Sequence, residues 1–158
     1  MDGGPRDGRR SVAVKVVDGR VGRGAGVLLA PDGTLPARAP FDGPYLVQEY
    51  VPGDGWDRKL YVAGSRAHGL LKRSPPHVDS GGRGEQFSLD VELADLSRLV
   101  GEALGLEVYG VDFIEGPAGP SIIDVNPFPG FKGVRDAADS IARHLLNVAT
   151  ETRQVAAQ

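Results

Sequence analysis

An α+β fold built on antiparallel sheets is the class this chain predicts, and three observations carry it. Short apolar runs at Ser11–Val17, Val27–Ala30, Tyr45–Val51, Lys59–Ala63 and His68–Lys72 are punctuated by glycine and proline. Two helical periodicities, Val91–Leu104 and Val134–Val148, come late and do not alternate with the strands, which argues against a doubly wound sheet. Between them, VYGVDFIE (Val108–Glu115) and SIIDVNPFPGFKGV (Ser121–Val134) flank a turn-forming stretch, Gly116–Pro120. That is the pattern of a hairpin.

Taken in order, residues 1–10 read as a flexible leader, with no apolar stretch after the charges of MDGGPRDGRR to suggest a signal peptide. Ser11–Val17 is a strand carrying Lys15. Gly19–Gly26, GRVGRGAG, is too rich in glycine for a helix interior and reads as a flexible loop. Val27–Ala30 is the next strand, and Pro31–Gly43 an irregular connection. Tyr45–Val51 returns to strand and meets a turn at Pro52–Trp56. Lys59–Ala63 and His68–Lys72 follow. The polar stretch Arg73–Gln86, with Pro75, Pro76, Gly81, Gly82 and Gly84, is a long loop of the kind that is more often functional than accidental.

The first helix should bury Leu93, Leu96, Val100, Ala103 and Leu104 and end at Gly105. The second should bury Val134, Ala138, Ile141, Leu145 and Val148, with 149–158 a flexible tail. No internal repeat is present.

Composition narrows the function classes. The 158 residues carry 18 basic and 21 acidic side chains, a net charge of −3, so no field for nucleic acid is expected. The absence of cysteine excludes disulfides and thiolate metal sites. No run reaches membrane-spanning length, and a cytoplasmic enzyme or binding domain is the default expectation.

The hairpin holds the most informative residues. If it is symmetric about Ala118, Asp112 faces Asp124, and period-two alternation adds Asn126 on the same side. Three oxygen donors beside a Pro/Gly loop suit a hard cation such as magnesium, shared with phosphate oxygens. The plainer reading is two acids on the wet face of a hairpin. Lys15 with the glycine loop suits anionic oxygens, because glycine backbone N–H groups can approach closely and lysine adds mobile charge. No Gly-Lys-Ser/Thr ends the loop, so it is not a Walker motif.

VQEYV (Val47–Val51) runs into a proline-glycine turn whose exposed backbone suits an adenine edge, with Asp54 or Asp57 within reach of ribose; Tyr50 as core is the alternative. Arg58, Lys59, Lys72 and Arg73 surround two central strands, and alternation is expected to point Arg58 and Lys72 at phosphates. His77, in the long loop, is a candidate contact to an acceptor. Trp56 suits a hinge or interface.

This order of motifs resembles the ATP-binding part of the ATP-grasp superfamily, closest to RimK-like glutamate ligases and bacterial glutathione synthetases, with a further likeness to inositol polyphosphate kinases. The resemblance covers roughly Val12 to Leu146. It rests on VAVKVVDGRVGRGAGVLL, YLVQEYV, GLEVYGVDFIE and SIIDVNPFPGFKGV, of which the Asn-x-x-Pro-Gly ending is the most specific. The resemblance implies ATP and magnesium as cofactors. It assigns Lys15, Gly22, Arg23, Gly24, Ala25 and Gly26 to phosphate, and the backbone around Glu49, Tyr50 and Val51 to adenine. Asp112, Asp124 and Asn126 become metal ligands, and Arg58 lies near the transferred phosphate, with Lys72 and Arg73 as further catalytic candidates.

Asp124 stands where the ligases more usually have glutamate. DRKLYVAG and KRSPP lean toward the kinase-like branch, with Lys59 as a nucleotide contact. The domain implied spans 11–148, divided into a glycine-loop part, 11–51, and a metal-binding part, 52–148. The family's N-terminal substrate domain and second phosphate-binding lysine have no room ahead of residue 11, so the expectation is a fragment, a naturally shortened enzyme, or an ATP-binding half completed by a homo-oligomer or a complementing subunit. The implied reaction is carboxylate–amine ligation through an acyl phosphate, with small-molecule carboxylate and amine substrates. The alternatives are a small-molecule or inositol-phosphate kinase, or an ATP-binding module completed by another protein.

Overall fold

A computed structural model describes residues 11–17, 27–31, 33–38, 42–73 and 84–156. The chain divides into two compact units, Met1–Pro52 and Gly53–Gln158. In the first, β1 (Val12–Val16), β2 (Val27–Ala30) and β3 (Tyr45–Glu49) form an antiparallel sheet in the order β2-β1-β3. Val14 is its most buried side chain.

The second unit contains a five-stranded sheet in the order β6-β5-β4-β7-β8, antiparallel throughout. Its strands are β4 (Trp56–Ala63), β5 (Arg66–Arg73), β6 (Glu85–Phe87), β7 (Val108–Gly116) and β8 (Gly119–Pro127). β4 and β5 start earlier than expected because their polar ends, Trp56–Arg58 and Arg66–Ala67, continue the ladder. β6, inside the expected loop, is too short for periodicity to show. The glycine loop, the leader and His77 lie outside the described residues.

Alternation divides this sheet cleanly. One face carries Leu60, Val62, Tyr109, Val111 and Phe113, packed against Val100, Leu93 and Leu96 of helix α1 (Val91–Leu104). Asp90 caps that helix, accepting from the Leu93 amide at 2.8 Å, and Gly105 ends it at φ 65°, in the left-handed region. Ala103 and Leu104, expected inside, are exposed; Ser97 and Gly101 are buried instead. The interior turns there because Tyr109 crosses Gly101 and donates to the Ser97 carbonyl at 2.8 Å.

Helix α2 (Ala137–Ala156) packs on the opposite face, where His68 meets the Ser140 hydroxyl at 2.9 Å. It buries Ala137 and Ser140, half-buries Ile141 and His144, and exposes Ala138, Leu145 and Val148, so the expected stripe is rotated toward a small-residue face. Small residues let the helix axis approach the sheet. The expected tail is helical through residue 156. No described helix is long and apolar enough to cross a membrane.

A Cβ placed on Gly101 would lie 2.3 Å from the Tyr109 hydroxyl. Gly101→Ala is therefore expected to cost about 1–3 kcal/mol by overpacking, read as a lower urea midpoint at unchanged slope. An unchanged midpoint would show that the ring can move aside.

Candidate functional site

The β7–β8 hairpin does set Asp112 against Asp124, by a different route from the one expected. Its turn pairs Gly116 with Gly119, and the same register continues to Phe113 with Ile122. A β-bulge then absorbs one residue of β8, so Asp112 pairs with Asp124 and Gly110 with Asn126. Paired residues share a face. Asp112, Asp124 and Asn126 thus stand together on the side of the sheet away from α1. Asn126 Nδ2 donates to Asp124 Oδ2 at 2.9 Å, which orients both side chains.

The same register runs on across β4. Lys59 pairs with Asp112, and their side chains form a half-buried ion pair. Asp57 and Lys72 are paired on this face one step along. Asp57 is only 5% exposed, and its Oδ1 has no hydrogen-bond partner among the described residues. A buried carboxylate oxygen left unpaired is costly, and a ligand donor such as a hydroxyl would satisfy it. Asp54, the alternative ribose candidate, is already occupied by the Arg58 guanidinium at 2.7 and 3.2 Å and by the Trp56 amide at 3.1 Å.

Arg58 and Lys72 do not share a face. Arg58 pairs with Leu71 and Phe113, on the α1 side. Arg73 is on that side too, its guanidinium 4.9 Å from the centre of the Trp56 ring. The basic group beside the carboxylates is Lys59, the expected nucleotide contact, and not Arg58, the residue expected near the transferred phosphate.

Burial pushes the Asp112 carboxyl above its usual range, the Lys59 ammonium pulls it back, and the charges of Asp124 and Asp57 push it up again. Two carboxylates and an amide on one face fit magnesium. Among the described residues no three carboxylate or imidazole groups form a closed cage. Asp124 and Asn126 are exposed at one end of this face, whereas Leu70 further along it is fully buried; recesses lie between β6 and the start of α2 and beside Gly64 and His144.

In the first unit, Lys15 on β1 is flanked by Val27 on one side and Leu46 on the other, both largely exposed. A half-buried lysine in an apolar bed suits a ligand with a flat apolar part and an anionic part. Glu49 closes β3, and Tyr50 and Val51 follow it. The Tyr50 amide donates to the Ser11 carbonyl at 2.8 Å, so that amide is committed within the sheet. The Tyr50 side chain is exposed and not core. Gly22, Arg23, Gly24 and Gly26 lie outside the described residues. Sequence reasoning missed Arg135, whose Nε donates to Gln86 Oε1 on β6. No periodic signal marks either residue.

The model of the RimK-like ATP-grasp domain matches residues 9–149, and the chain belongs to that family. A probable alpha-L-glutamate ligase of Rhodopirellula baltica is 30% identical over 144 residues, 84% of this chain and 35% of its own length. One from Xanthomonas campestris is 31% identical over 140 residues, 78% of this chain and 48% of its own length. The chain therefore spans between a third and a half of these relatives.

Among solved structures, the RiPP-associated ATP-grasp ligase of Chryseobacterium gregarium, in complex with ADP and a leader and core peptide, superposes with a TM-score of 0.61 at 12% identity. The match covers 87% of this chain and 48% of that one. D-alanine–D-alanine ligase of Bacillus anthracis, complexed with ATP, gives 0.58 at 16% identity, over 89% and 52%. These likenesses show the fold.

Because folding favours the protonated form of Asp112, that group subtracts from stability above its raised pKa, and the loss is relieved as pH falls through that value. Lys59→Met removes the offsetting charge. Stability at neutral pH is expected to drop by about 3 kcal/mol, and the deficit to shrink on mild acidification. A deficit independent of pH in denaturant titrations would show that Lys59 acts through packing alone.

Proposed function

We propose that this chain is the ATP-binding part of an ATP- and magnesium-dependent carboxylate–amine ligase that works through an acyl phosphate. The observation that carries the reading is the shared face of Lys59, Asp112, Asp124 and Asn126, with the unpaired Asp57 oxygen beside it. Family membership and the names of the relatives support it, and they point to L-glutamate as a substrate.

In this reaction a carboxylate oxygen attacks the γ-phosphorus and the bond to the bridging oxygen breaks, releasing ADP. An amine nitrogen then attacks the acyl carbon. Phosphate leaves, and the nitrogen loses its proton to solvent. No side-chain nucleophile is needed; the protein aligns the groups and stabilises phosphoryl charge.

Asp112, Asp124 and Asn126 would hold magnesium, which supplies positive charge against phosphate oxygens when bound. Lys59 and Lys72, on the same face, neutralise phosphoryl charge. Asp57 accepts from ribose hydroxyls. Lys15 and the glycine loop take phosphate oxygens, and the chain around Glu49 and Val51 takes the adenine edge.

ADP and phosphate release that requires both a carboxylate and an amine is the expected result. A phosphorylated acceptor with no amide would shift the reading to a small-molecule or inositol-phosphate kinase. ATP binding without turnover until a second protein is added would make it a complemented module. Asp124→Ala is expected to abolish the magnesium-dependent part of ATP-analogue binding with the circular dichroism spectrum unchanged. Asp57→Asn should weaken nucleotide binding roughly tenfold, the loss of one charge-assisted hydrogen bond. Unaltered binding in the Asp124 variant would remove the metal assignment.

A further inference from the structure

The row beside the carboxylates lacks a side chain near its centre. Asn126 pairs with Gly110, Gly110 with Tyr61, and Tyr61 with His68, two residues along from Asp124, Asp112, Lys59 and Leu70. Period-two alternation puts both rows on the site face. Beyond Pro127 the chain reverses and returns over this face. Phe128 makes the reversal at φ 47°, a left-handed conformation uncommon for a residue other than glycine, and its amide donates to the Val108 carbonyl at 2.9 Å. Pro129 then lies on Gly110, and the Phe131 ring sits 5.3 Å from the Tyr61 ring at a tilt of 43°. Gly133 comes over the fully buried Leu70, where a Cβ would lie 3.7 Å from Leu70 Cδ2. The return segment thus crosses β7, β4 and β5 in turn.

The seat at Gly110 has no spare room. A Cβ built there would lie 3.1 Å from Pro129 Cγ and 3.5 Å from Pro129 Cβ, so the first contact is tight and the second ordinary. The stretch that would have to give is stiff. Proline rings fix φ at Pro127 and Pro129, and each restricts the residue before it, Asn126 and Phe128. The Phe128 amide is tied to the sheet. Further on, Phe131 is held against Tyr61, and its carbonyl accepts from the Val134 amide at 3.1 Å. Little torsional slack is left to absorb a displacement of Pro129 before it reaches Asn126. Asn126 Nδ2 donates to Asp124 Oδ2 at 2.9 Å, so a turn of Asn126 also disturbs that carboxylate.

We infer that Gly110 is a positioning residue for the metal ligands: by leaving room for Pro129 it sets the reversal at Phe128, and through that reversal the placement of Asn126 against Asp124. Gly110 has no side chain to offer a ligand and acts through Asn126. The left-handed Phe128 belongs to the same device, because φ in the ordinary negative range would redirect Pro129 away from its seat. If the return segment served only to cover Tyr61 and Leu70, Asn126 would be indifferent to the seat. The inference rests on the magnesium assignment of the proposed function, but the placement of Asn126 is measurable in the chain without ligand.

The test is a double-mutant cycle on the full chain between Gly110→Ala and Pro129→Ala, the second of which removes Cγ and keeps Cβ. Two quantities are read: the ratio of Kd values for adenylyl imidodiphosphate without and with magnesium, and the Asn126 side-chain amide resonances without ligand. Gly110→Ala is expected to lower the ratio about tenfold, the low end for a group acting through a metal ligand, with the magnesium-free Kd unchanged. It should also shift the Asn126 amide. The double variant should recover most of the ratio and return the amide toward its wild-type position, although the added methyl is still present. Pro129→Ala alone should lower the ratio by less. If the double variant keeps the loss of Gly110→Ala, or if Gly110→Ala lowers the urea midpoint without moving either readout, the positioning role is overturned. If Gly110→Ala does not fold, Pro129→Ala decides, and an unchanged ratio and amide in that variant overturn it. If wild-type binding shows no magnesium dependence, the metal assignment fails, and the Asn126 amide alone decides the seat: its reversion in the double variant keeps the role of Gly110, and a lack of reversion removes it.

Discussion

A single extra residue on β8 decides what this sheet can bind. From the turn outward, β7 and β8 pair in one register as far as Phe113 and Ile122. Had that register continued, Asp112 would face Ile123, and Asp124 would face Val111, among the apolar side chains packed under α1. Side chains alternate with period two, so a one-residue shift moves a whole strand segment to the other face. The bulge makes that shift where the carboxylates begin. It brings Asp124 and Asn126 out of the core side and onto the face of Asp112, and keeps Val125 packed against the core. The assignments made for Lys59 and Asp57 inherit their meaning from this register.

The bulge also explains why the pairing was legible while its cause was not. A hairpin centred on Ala118 predicts Asp112 opposite Asp124. The real turn is centred half a residue earlier, and the bulge restores the difference. Strand type, the α1 boundaries with the Gly105 cap, and the carboxylate pair could all be read from local pattern. The faces of the basic residues could not. In DRKL, adjacent cations point opposite ways, and only the register with Phe113 and Asp112 shows that Arg58 belongs to the α1 side and Lys59 to the carboxylates. β6 was hidden for a related reason: three residues cannot display a period, and only pairing with Gly69–Leu71 makes them a strand.

The helices show the same division between local and tertiary control. Helical spacing gave the bounds of α1 but started α2 too early and ended it too soon, and it chose large residues for the buried stripe. Packing chose small ones. Ser97 and Gly101 lie inside because Tyr109 needs room and an acceptor, and Ala137 and Ser140 because α2 lies close over the sheet, where His68 finds the Ser140 hydroxyl. A hydroxyl or glycine at a contact gains little from burial itself but permits the close approach from which larger neighbours gain. Leu145 and Leu146 are left exposed as a result.

The electrostatics of the shared face run against stability and toward binding. Asp57, Asp112 and Asp124 stand on one side of the sheet, Asp112 held up by burial and by its acidic neighbours, Asp57 with an oxygen unpaired. Lys59 offsets part of this by occupying the Asp112 carboxylate. A divalent cation with its phosphate ligands would replace that single charge with a larger one, and a hydroxyl donor would fill the gap at Asp57. Ligands that bind only the folded chain raise its stability by mass action, in proportion to the logarithm of their concentration over Kd. An arrangement that is penalised when empty gains more from its ligand than one already satisfied by its own side chains. In the proposed function, the strain of the carboxylate row is the physical basis on which a nucleotide and its metal would be held without a closed protein cage.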